Sequence, residues 1–373
     1  DRESLFDKVR LLWENRLHVL LLGLGLLAMG SVQLVYWKMT SGHWLYYSYG
    51  EQGFSWLRPH VINGLFSFRK GWFWYTPVML FAMAGFLVLL RERQYRFLFL
   101  ALGAYFAINL YAVFSWGIWW YGGSLGARPL IQSYAALAIP MAAFIAWVMQ
   151  YRIWRVVAFG LMFLCMDLNL IMTWQAHASG GGMHPEMMTQ AYYWKIFGSA
   201  RAKKADKKYL DARHELGSMR GMKARTLFFT DFESDTAHVS TTHAFSGKQA
   251  YQLDGANQYS PNFVETTIGE LAPRPRAWIR VSARVMYTDM EWSEWNMAQL
   301  VTRFIRGEET YDWTGVRIQR LMDPWQWHDL HYEVKMPRDA QPGDLLQVYL
   351  WNADGARAVY VDDLKVELIE PKK

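Results

Sequence analysis

The segment Leu17–Trp37, which reads LHVLLLGLGLLAMGSVQLVYW, sets the fold class of the N-terminal half of the chain. A helix needs about 20 apolar residues to cross a hydrocarbon core of about 30 Å. Only His18 and Gln33 interrupt this run. We therefore predict a transmembrane helix, with Tyr36 and Trp37 at the membrane–water interface, where amphipathic rings are favoured.

Further apolar runs predict a bundle of about five transmembrane helices within residues 1–174. Their bounds are 72–90, 97–116, 130–150 and 156–174. Asp167 and Asn169 lie inside the last run, where polar groups are costly and often functional. A helix–helix contact is the alternative role for Asp167.

The positive charges of the short loops set the predicted orientation. Basic residues precede the first run and follow the second and fourth runs, at Lys8, Arg10, Arg16, Arg91, Arg93, Arg96, Arg152 and Arg155. The positive-inside rule makes that side cytoplasmic. Loops 38–71 and 117–129, together with everything after Trp174, then face outward.

The second half of the chain changes character. Residues 175–225 form a predicted connector with short helices, and the run Gly180–Gly182 ends the last span. From Thr226 to Lys373, short alternating segments separated by turn residues predict an all-β antiparallel sandwich.

Composition excludes several classes of protein. The single cysteine, Cys165, allows no disulfide framework and no thiolate metal site. The net charge of +6 is modest, and its basic excess suits lipid head groups better than nucleic acid. The N-terminus lacks a Met and a signal-peptide pattern, so we expect a fragment whose upstream part is missing.

Three stretches resemble bacterial membrane glycosyltransferases of the GT-C class, which are similar to the dolichyl-phosphate-mannose–protein mannosyltransferases. They are QLVYWKMTSGHWLYYSYGEQGFSWLRPHVINGLFSFRKGWFWYTP (33–77), WWYGGSLGARPLIQSYAALAIP (119–140) and HPEMMTQAYYWKIF (184–197). The resemblance covers about residues 10–198. It implies a multi-pass enzyme of the bacterial inner membrane whose C-terminal domain faces the periplasm or the cell exterior.

The resemblance also implies a reaction. Such enzymes move a sugar from a polyprenyl-phosphate donor to a glycan, lipid or protein acceptor at the outer face of the membrane. Their catalytic carboxylate lies in the first outward loop. No matching segment occurs here, so we expect that carboxylate, and any divalent metal beside it, to lie upstream of Asp1.

A lipid-linked phosphate needs cations at the membrane border, because its charge must be neutralised in a poorly hydrated site. Arg69 and Lys70 precede the second run, and Arg128 precedes the fourth run on the same predicted side. We predict that these three bind the donor phosphate. Ordinary anchoring of basic side chains at helix ends is the alternative.

The aromatic outward loop offers polar groups beside ring faces, as a sugar site requires. Its candidates for sugar or acceptor contact are His43, Tyr49, Glu51 and His60. The alternative is interfacial packing with satisfied polar tips.

The second half resembles the jelly-roll carbohydrate-binding modules. The matching pieces are Asp231-Phe232-Glu233, Phe245-Ser246-Gly247-Lys248 and VYVDDLKV (359–366). The resemblance implies a structural calcium held by Glu233 and Asp362, with Asp363 as the alternative ligand. Surface or turn carboxylates are the other interpretation.

Tryptophan rings offer stacking faces for sugars in this domain, and the candidates are Trp313, Trp325 and Trp351. Core or rim packing is the alternative for each. At the level of the whole chain two alternatives to a glycosyltransferase stay open. They are a non-enzymatic, membrane-anchored glycan-binding protein and a transporter or flippase subunit.

Overall fold

The computed structural model describes residues 5–289, 293–353, 355 and 357–372. The chain divides into two units, Asp1–Ser55 and Trp56–Lys373. The first unit contains helices α1 (Leu5–Glu14) and α2 (Arg16–Ser41). Helix α2 ends where Gly42 takes φ +78°, a left-handed conformation that glycine adopts without a steric penalty.

The second unit begins with the remaining helices. They are α3 (Val61–Phe66), α4 (Trp72–Tyr75), α5 (Met79–Arg91), α6 (Arg96–Phe114), α7 (Tyr134–Val148), α8 (Arg152–His177) and α9 (Gln190–Ile196). Short 3₁₀ helices occupy Arg93–Tyr95, Arg128–Ser133 and Lys204–Leu210.

Four helical segments of the described chain are long and apolar enough to cross a membrane. They are Arg16–Ser41, Arg93–Phe114, Arg128–Val148 and Arg152–His177. The run 72–90, predicted as one span, is instead two helices, α4 and the 13-residue α5. Pro77 disfavours a helical conformation in the preceding residue, and Thr76 has φ −140° and ψ 62°.

Close packing of α5 against α7 builds the core of the helical part. A Cβ added to Gly85 of α5 would lie 1.7 Å from the carbonyl oxygen of Pro140 in α7, so only glycine fits. Trp72, Phe106 and Leu137 are buried around this contact. The arrangement fixes the ends of the helices, where the loops carry the candidate site residues.

The sandwich begins at Met222, four residues before the predicted boundary. Its strands are β1 (Met222–Thr230), β2 (Val239–Ser240), β3 (Ala250–Leu253), β4 (Val264–Thr267), β5 (Trp278–Tyr287), β6 (Gln299–Arg306), β7 (Glu309–Arg317), β8 (His328–Lys335), β9 (Leu345–Trp351) and β10 (Val359–Pro371). The short helix α10 (Ile268–Leu271) follows β4, with a capping box between Thr267 and Glu270.

Two antiparallel sheets face each other, which confirms the predicted helical bundle followed by a β-sandwich. One sheet has the order β2-β3-β10-β5-β8, with β1 also paired to β10. The other has the order β4-β9-β6-β7. Alternate residues such as Val281, Leu300, Phe304 and Val348 point inward and are fully buried, as the period of two predicts.

The connector packs as a small core of its own. Tyr192 and Tyr193 of α9 are buried against Tyr75 and against Met172 of α8. Asn169, inside α8, donates a hydrogen bond to the carbonyl oxygen of Tyr75. These contacts hold the start of the connector against the ends of α4 and α8.

Candidate functional site

The three predicted phosphate-binding cations lie at one end of the helices. Arg69 and Lys70 precede α4, and Arg128 begins the 3₁₀ turn that leads into α7. The Lys70 side chain is only 2% exposed. Its Nζ donates to the carbonyl oxygen of Ser124 and to Ser124 Oγ, which lies 3.3 Å away. Both partners are neutral, so they provide no negative charge to balance the buried ammonium group of Lys70.

The electrostatics of Lys70 place the three cations near one another. The pKa of Lys70 is lowered to about 8, chiefly by burial; Glu186 opposes this shift, and the charges of Arg128 and Arg69 contribute to it. A cation whose neighbours are other cations is stabilised by an added anion. The predicted residues are therefore brought together, and their binding of phosphate stays a prediction.

Arg69 is held by an aromatic ring and by the connector. Its Cζ lies 3.7 Å from the centroid of Trp120, and its Nε donates to the carbonyl oxygen of Glu186 at 2.7 Å. Burial lowers its pKa, with Glu186 opposing and Arg213 adding to the effect. Stacking on an aromatic face orients the planar guanidinium and leaves its other donors available.

Arg128 donates from Nη2 to the carbonyl oxygen of Tyr121 at 2.9 Å and is exposed. The intervening loop is tight. Gly126 has φ +58°, and an added Cβ there would lie 2.7 Å from Cβ of Tyr75. Glycine at this position lets the loop approach α4 closely and so fixes Ser124 beside Lys70.

A cavity of about 210 Å³ lies between this loop and the connector. Arg69, Ser124, Gly126, His177 and His184 are among its lining residues. Of the three predicted cations Arg69 lines this cavity, and the ends of α4 and α8 contribute Tyr75 and His177. The cavity has the position that a head group would need at the end of the helices.

Sequence reasoning missed the acid of this site. Glu186 lies in the stretch 184–197, but no residue type or spacing singled it out. A Cβ added to Gly122 or Gly123 would lie 3.8 Å from its Oε1, so its carboxylate approaches the glycine-rich loop. The acid comes from the connector, 116 residues after Lys70 in the numbering of the chain, which explains why pattern analysis did not find it.

A second missed feature is an ionic network that joins the connector to the sandwich. His184 Nε2 lies 2.6 Å from Oε1 of Glu294, and its Nδ1 accepts from the backbone N–H of Met187 at 2.9 Å. Glu294 also pairs with Arg320. The hydrogen bond from His184, together with Arg320, lowers the pKa of Glu294 to about 2.

The network continues through a buried carboxylate. Asp211 of the connector accepts from Arg317 Nη1 at 2.6 Å and from Arg320 Nη1 at 2.9 Å. Its side chain is 2% exposed, and that of Arg320 is 4% exposed. Paired buried charges of this kind fix a docking geometry, because loss of either partner leaves an unpaired charge.

The docked sandwich forms one wall of a groove of about 710 Å³. Strand β7 contributes Trp313, Gly315 and Arg317. The helical part contributes residues 62–63 and 66–69, and the connector contributes residues 187–190, 210–211 and 213–214. Arg69 lines both this groove and the 210 Å³ cavity. The two spaces therefore share a cationic wall.

The outward face of the four-stranded sheet carries two of the three predicted stacking residues. Trp351 stacks on Tyr259 with a centroid separation of 5.9 Å and an interplanar angle of 7°. Trp313 is 38% exposed and lies over Gly315, since an added Cβ there would meet its ring at 2.4 Å. Trp325 lies elsewhere, with its ring 6.4 Å from His243.

Polar groups cross the same face between the rings. Arg303 Nε donates to Oε1 of Gln347 at 2.7 Å, and Gln347 Nε2 donates to Oε2 of Glu265 at 2.8 Å. Among the described residues, Gln299 Oε1 and Trp351 Nε1 are buried without a hydrogen-bond partner. Aromatic faces beside fixed polar groups match the chemistry of sugar rings.

The predicted calcium ligands have other partners. Glu233 Oε1 accepts from the backbone N–H of Lys248 at 2.7 Å and of Gln249 at 3.0 Å. Asp362 Oδ2 accepts from the N–H of Phe245 at 2.8 Å, and burial raises the pKa of Asp362.

Asp363 Oδ1 accepts from Ser246 Oγ at 3.1 Å. Within the described part of the chain no group of three or more His, Cys, Asp or Glu side chains is placed to hold a metal ion. The hydrogen bonds of these carboxylates fit a role in fastening loop 245–249, and calcium stays a prediction.

The remaining candidates, those for sugar or acceptor contact, are divided between the two units. His43, Tyr49 and Glu51 belong to the first unit, where all three are exposed. His60 belongs to the second unit, and its ring stacks on Trp119 with centroids 6.2 Å apart. Sugar contact by these residues stays a prediction.

Comparison with known proteins gives a fold likeness only. No protein-family model matches the chain, and no curated protein matches it. The CBM22-1 xylan-binding domain of Paenibacillus barcinonensis Xyn10C is 18% identical, with a TM-score of 0.26, over 42% of this chain and 92% of that chain. The C-terminal family 22 carbohydrate binding module of Clostridium thermocellum Xyn10B is 16% identical, with a TM-score of 0.26, over 38% and 91%.

A cyclase from Fischerella sp. TAU is 8% identical, with a TM-score of 0.25, over 45% of this chain and 84% of that chain. Fold alone does not determine function. The assignment of a sandwich depends on the strand pairing described above.

Proposed function

We propose that this chain is part of an integral membrane glycosyltransferase that uses a polyprenyl-phosphate-linked sugar at the outer face of a bacterial inner membrane. The observation that carries the proposal is the gathering of Arg69, Lys70 and Arg128 at one end of the apolar helices. Glu186 is the acid that acts on Lys70 there, so the cluster has an excess of positive charge.

The position suits a lipid donor. The cluster lies where α6 ends and α7 begins, and the cavity that Arg69 lines includes His177 at the end of α8. A polyprenyl chain can remain among the apolar helices while its phosphate meets the cations at their ends. An ionised phosphate in a poorly hydrated site requires such partners.

The cations would act on the leaving group. An acceptor hydroxyl oxygen bonds to the anomeric carbon as the bond from that carbon to the phosphate oxygen breaks. The electron pair of the broken bond goes to the phosphate, and the hydroxyl proton goes to a base. Fixed cations stabilise the phosphate charge that develops in this step.

The second candidate is a membrane-anchored glycan-binding protein. The face that carries Tyr259, Trp351 and the chain Arg303–Gln347–Glu265 favours a bound glycan, because stacked rings and fixed polar groups lie side by side there. Both proposals place a glycan on the sandwich. They differ in whether the cationic cluster binds a lipid phosphate.

The test is sugar transfer in reconstituted membranes. The chain, together with the segment that supplies the catalytic carboxylate, is incorporated into proteoliposomes with a radiolabelled sugar on undecaprenyl phosphate, and label that leaves the lipid is counted. Arg128→Ala should reduce transfer by about 10²-fold, a typical effect of removing one charge-stabilising group. Arg93→Ala, at the opposite end of α5, is the control and should retain wild-type transfer. Equal activity of wild type and Arg128→Ala would overturn the proposed role.

A further inference from the structure

We propose that an anionic glycan chain, one with carboxylate- or phosphate-bearing sugars, binds along a basic track on the sandwich and connector. The basic track is defined by Arg69, Arg213, Lys335, Arg276 and Arg338. It runs through the 710 Å³ groove, a small depression of about 50 Å³ and a cavity of about 870 Å³.

The three spaces are adjacent, because they share lining residues. Arg213 and His214 line both the groove and the small depression. Lys335 lines both the small depression and the 870 Å³ cavity. A ligand that extends from the groove therefore passes from one space to the next along the same cations.

Positive charge is in excess in the groove. Asp211 is the acid of its lining, and that carboxylate is already paired with Arg317 and Arg320. Arg213 is exposed, and its charge contributes to the lowered pKa of Arg69. The two arginines thus repel each other across this space, and a bound anion would relieve the repulsion.

The small depression is more balanced. It includes Asp312 and Glu333, and Glu333 pairs with Arg280 at 3.1 Å. Burial lowers the pKa of His214, and Lys335 is the next largest cause, so the field at this histidine is positive in spite of Asp312. The electrostatic field at His214 therefore stays positive in the depression that lies between the two larger spaces.

The 870 Å³ cavity is the most basic part. Its described lining contains four cations and no acid, namely Arg274, Arg276, Lys335 and Arg338. Arg274 Nη1 donates a hydrogen bond to the carbonyl oxygen of Pro371 at 3.0 Å. Arg276 and Arg338 are exposed, and no described carboxylate lies within salt-bridge distance of either. Their planar guanidinium groups are suited to bidentate binding of carboxylate or phosphate.

Aromatic rings among the cations identify the ligand as a sugar chain. Trp313 presents a half-exposed ring in the groove, and Trp278 lines the far cavity with Lys335 Nζ 5.8 Å from its centroid. Rings of this kind pack on the apolar faces of sugars, while the cations take the charges. Three spaces in series suit an extended polymer rather than a small anion.

We also identify this glycan as the acceptor of the transferred sugar. That identification rests on the proposed function. Arg69 lines both the groove and the 210 Å³ cavity, so a chain that fills the track has one end beside the proposed phosphate site. Binding of an anionic glycan by the track does not require that function. The two claims can therefore be tested separately.

The experiment measures binding of polygalacturonate to the full chain in nanodiscs of zwitterionic lipid. Fully methyl-esterified polygalacturonate has the same backbone without the charge and is the matched probe. We expect wild type to prefer the charged polymer at least tenfold and to lose that preference as salt screens the charges. Equal affinity for both polymers, or binding of neither, would overturn the inference.

Variants locate the site. The double change Arg276→Glu and Arg338→Glu should lower affinity for the charged polymer at least tenfold, whereas Lys248→Glu, an equal charge change per site on another exposed loop, should not. If the double variant bound the charged polymer with wild-type affinity, this would contradict binding along the basic track.

Two further readouts distinguish glycan binding from lipid contact and from the phosphate site. If the double variant changes retention on phosphatidylglycerol nanodiscs but leaves polymer binding intact, the arginines contact lipid and the inference fails. Undecaprenyl phosphate binding should be unchanged by the double variant. Loss of that binding by Arg128→Ala tests the proposed function, and it is independent of the result with polygalacturonate.

Discussion

His184 of the connector lies 2.6 Å from the carboxylate of Glu294, which belongs to the loop between β5 and β6 of the sandwich. This contact and the pairs from Asp211 to Arg317 and Arg320 join the two parts by charge as well as by packing. The groove that leads to Arg69 exists because these contacts hold the sandwich in place.

Asp211→Asn should destabilise the docked sandwich. The change removes a buried charge that two arginines share, and breaking such a pair typically costs about 3–5 kcal/mol. Thermal unfolding in detergent should show this loss of stability as a lower melting temperature. Asp329→Asn is the control, because Asp329 pairs with Arg284 at the surface with a side chain 71% exposed, and such pairs contribute about 0–1 kcal/mol. Equal effects of the two changes would exclude a special role for Asp211.

Acid should weaken the same junction through Glu294. Its pKa is about 2 in the folded chain against an ordinary value of 4.5, so it contributes stability that is fully present above pH 4.5. That contribution is lost as the pH falls from about 4.5 through 2, because the unfolded state then binds more protons.

The measurement is hydrogen exchange of residues 184–190 across this pH window, compared with Glu294→Gln. The glutamine variant should lack the acid-dependent part of the change. If both proteins respond identically to pH, another carboxylate is responsible.

Lys70 should make phosphate binding depend on pH in the alkaline range. Its pKa of about 8 in the folded chain is below the ordinary 10.5, so its charge is lost as the pH rises through 8. Affinity for undecaprenyl phosphate should therefore fall between pH 7.5 and 9.5. Lys70→Met should bind weakly and show little further change over this range.

The same shift makes a prediction about folding. Between pH 8 and 10.5 the unfolded chain holds a proton on Lys70 that the folded chain has released, so the contribution of this group to stability rises with pH. Lys70→Met should abolish that rise in thermal unfolding. A rise of equal size in the variant would assign it to other groups.

The sequence could predict features that depend on local patterns, but not features that depend on contacts between distant residues. Apolar runs and period-two alternation depend on local chemistry, and they predicted α2, α6, α8 and the strands. The break at Thr76 was missed, although Pro77 was visible as its cause. The burial of Lys70 depends on Ser124, 54 residues away, and the pairing of His184 depends on Glu294, 110 residues away. Contacts across such distances have no local pattern.

The aromatic face of the sandwich predicts binding of neutral glycans. Trp351→Ala removes one ring of the stacked pair with Tyr259 and should weaken binding of cellohexaose about tenfold, equivalent to about 1.4 kcal/mol. Trp325→Ala, on another part of the sandwich, should leave binding unchanged. Isothermal titration of both variants with cellohexaose checks the assignment. Weaker binding by Trp325→Ala alone would place the glycan site at Trp325 instead.

Glu233 provides the test of calcium. If its carboxylate holds a calcium ion, a chelator should lower the melting temperature of the full chain, and Glu233→Gln should abolish the response. If it only fastens loop 245–249, Glu233→Gln should destabilise by about 1–3 kcal/mol, because hydrogen bonds to a charged group are lost, and the chelator should have no effect.

The proposed function depends on Arg69, Lys70 and Arg128 forming a site for a lipid-linked phosphate. The experiment that examines this site alone is equilibrium binding of undecaprenyl phosphate and of the uncharged alcohol undecaprenol to the chain in nanodiscs at pH 7. Wild type and Arg93→Ala should prefer the phosphate at least about tenfold, and Lys70→Met should lose that preference. Equal affinity of wild type for the phosphate and the alcohol would contradict the assignment of these cations.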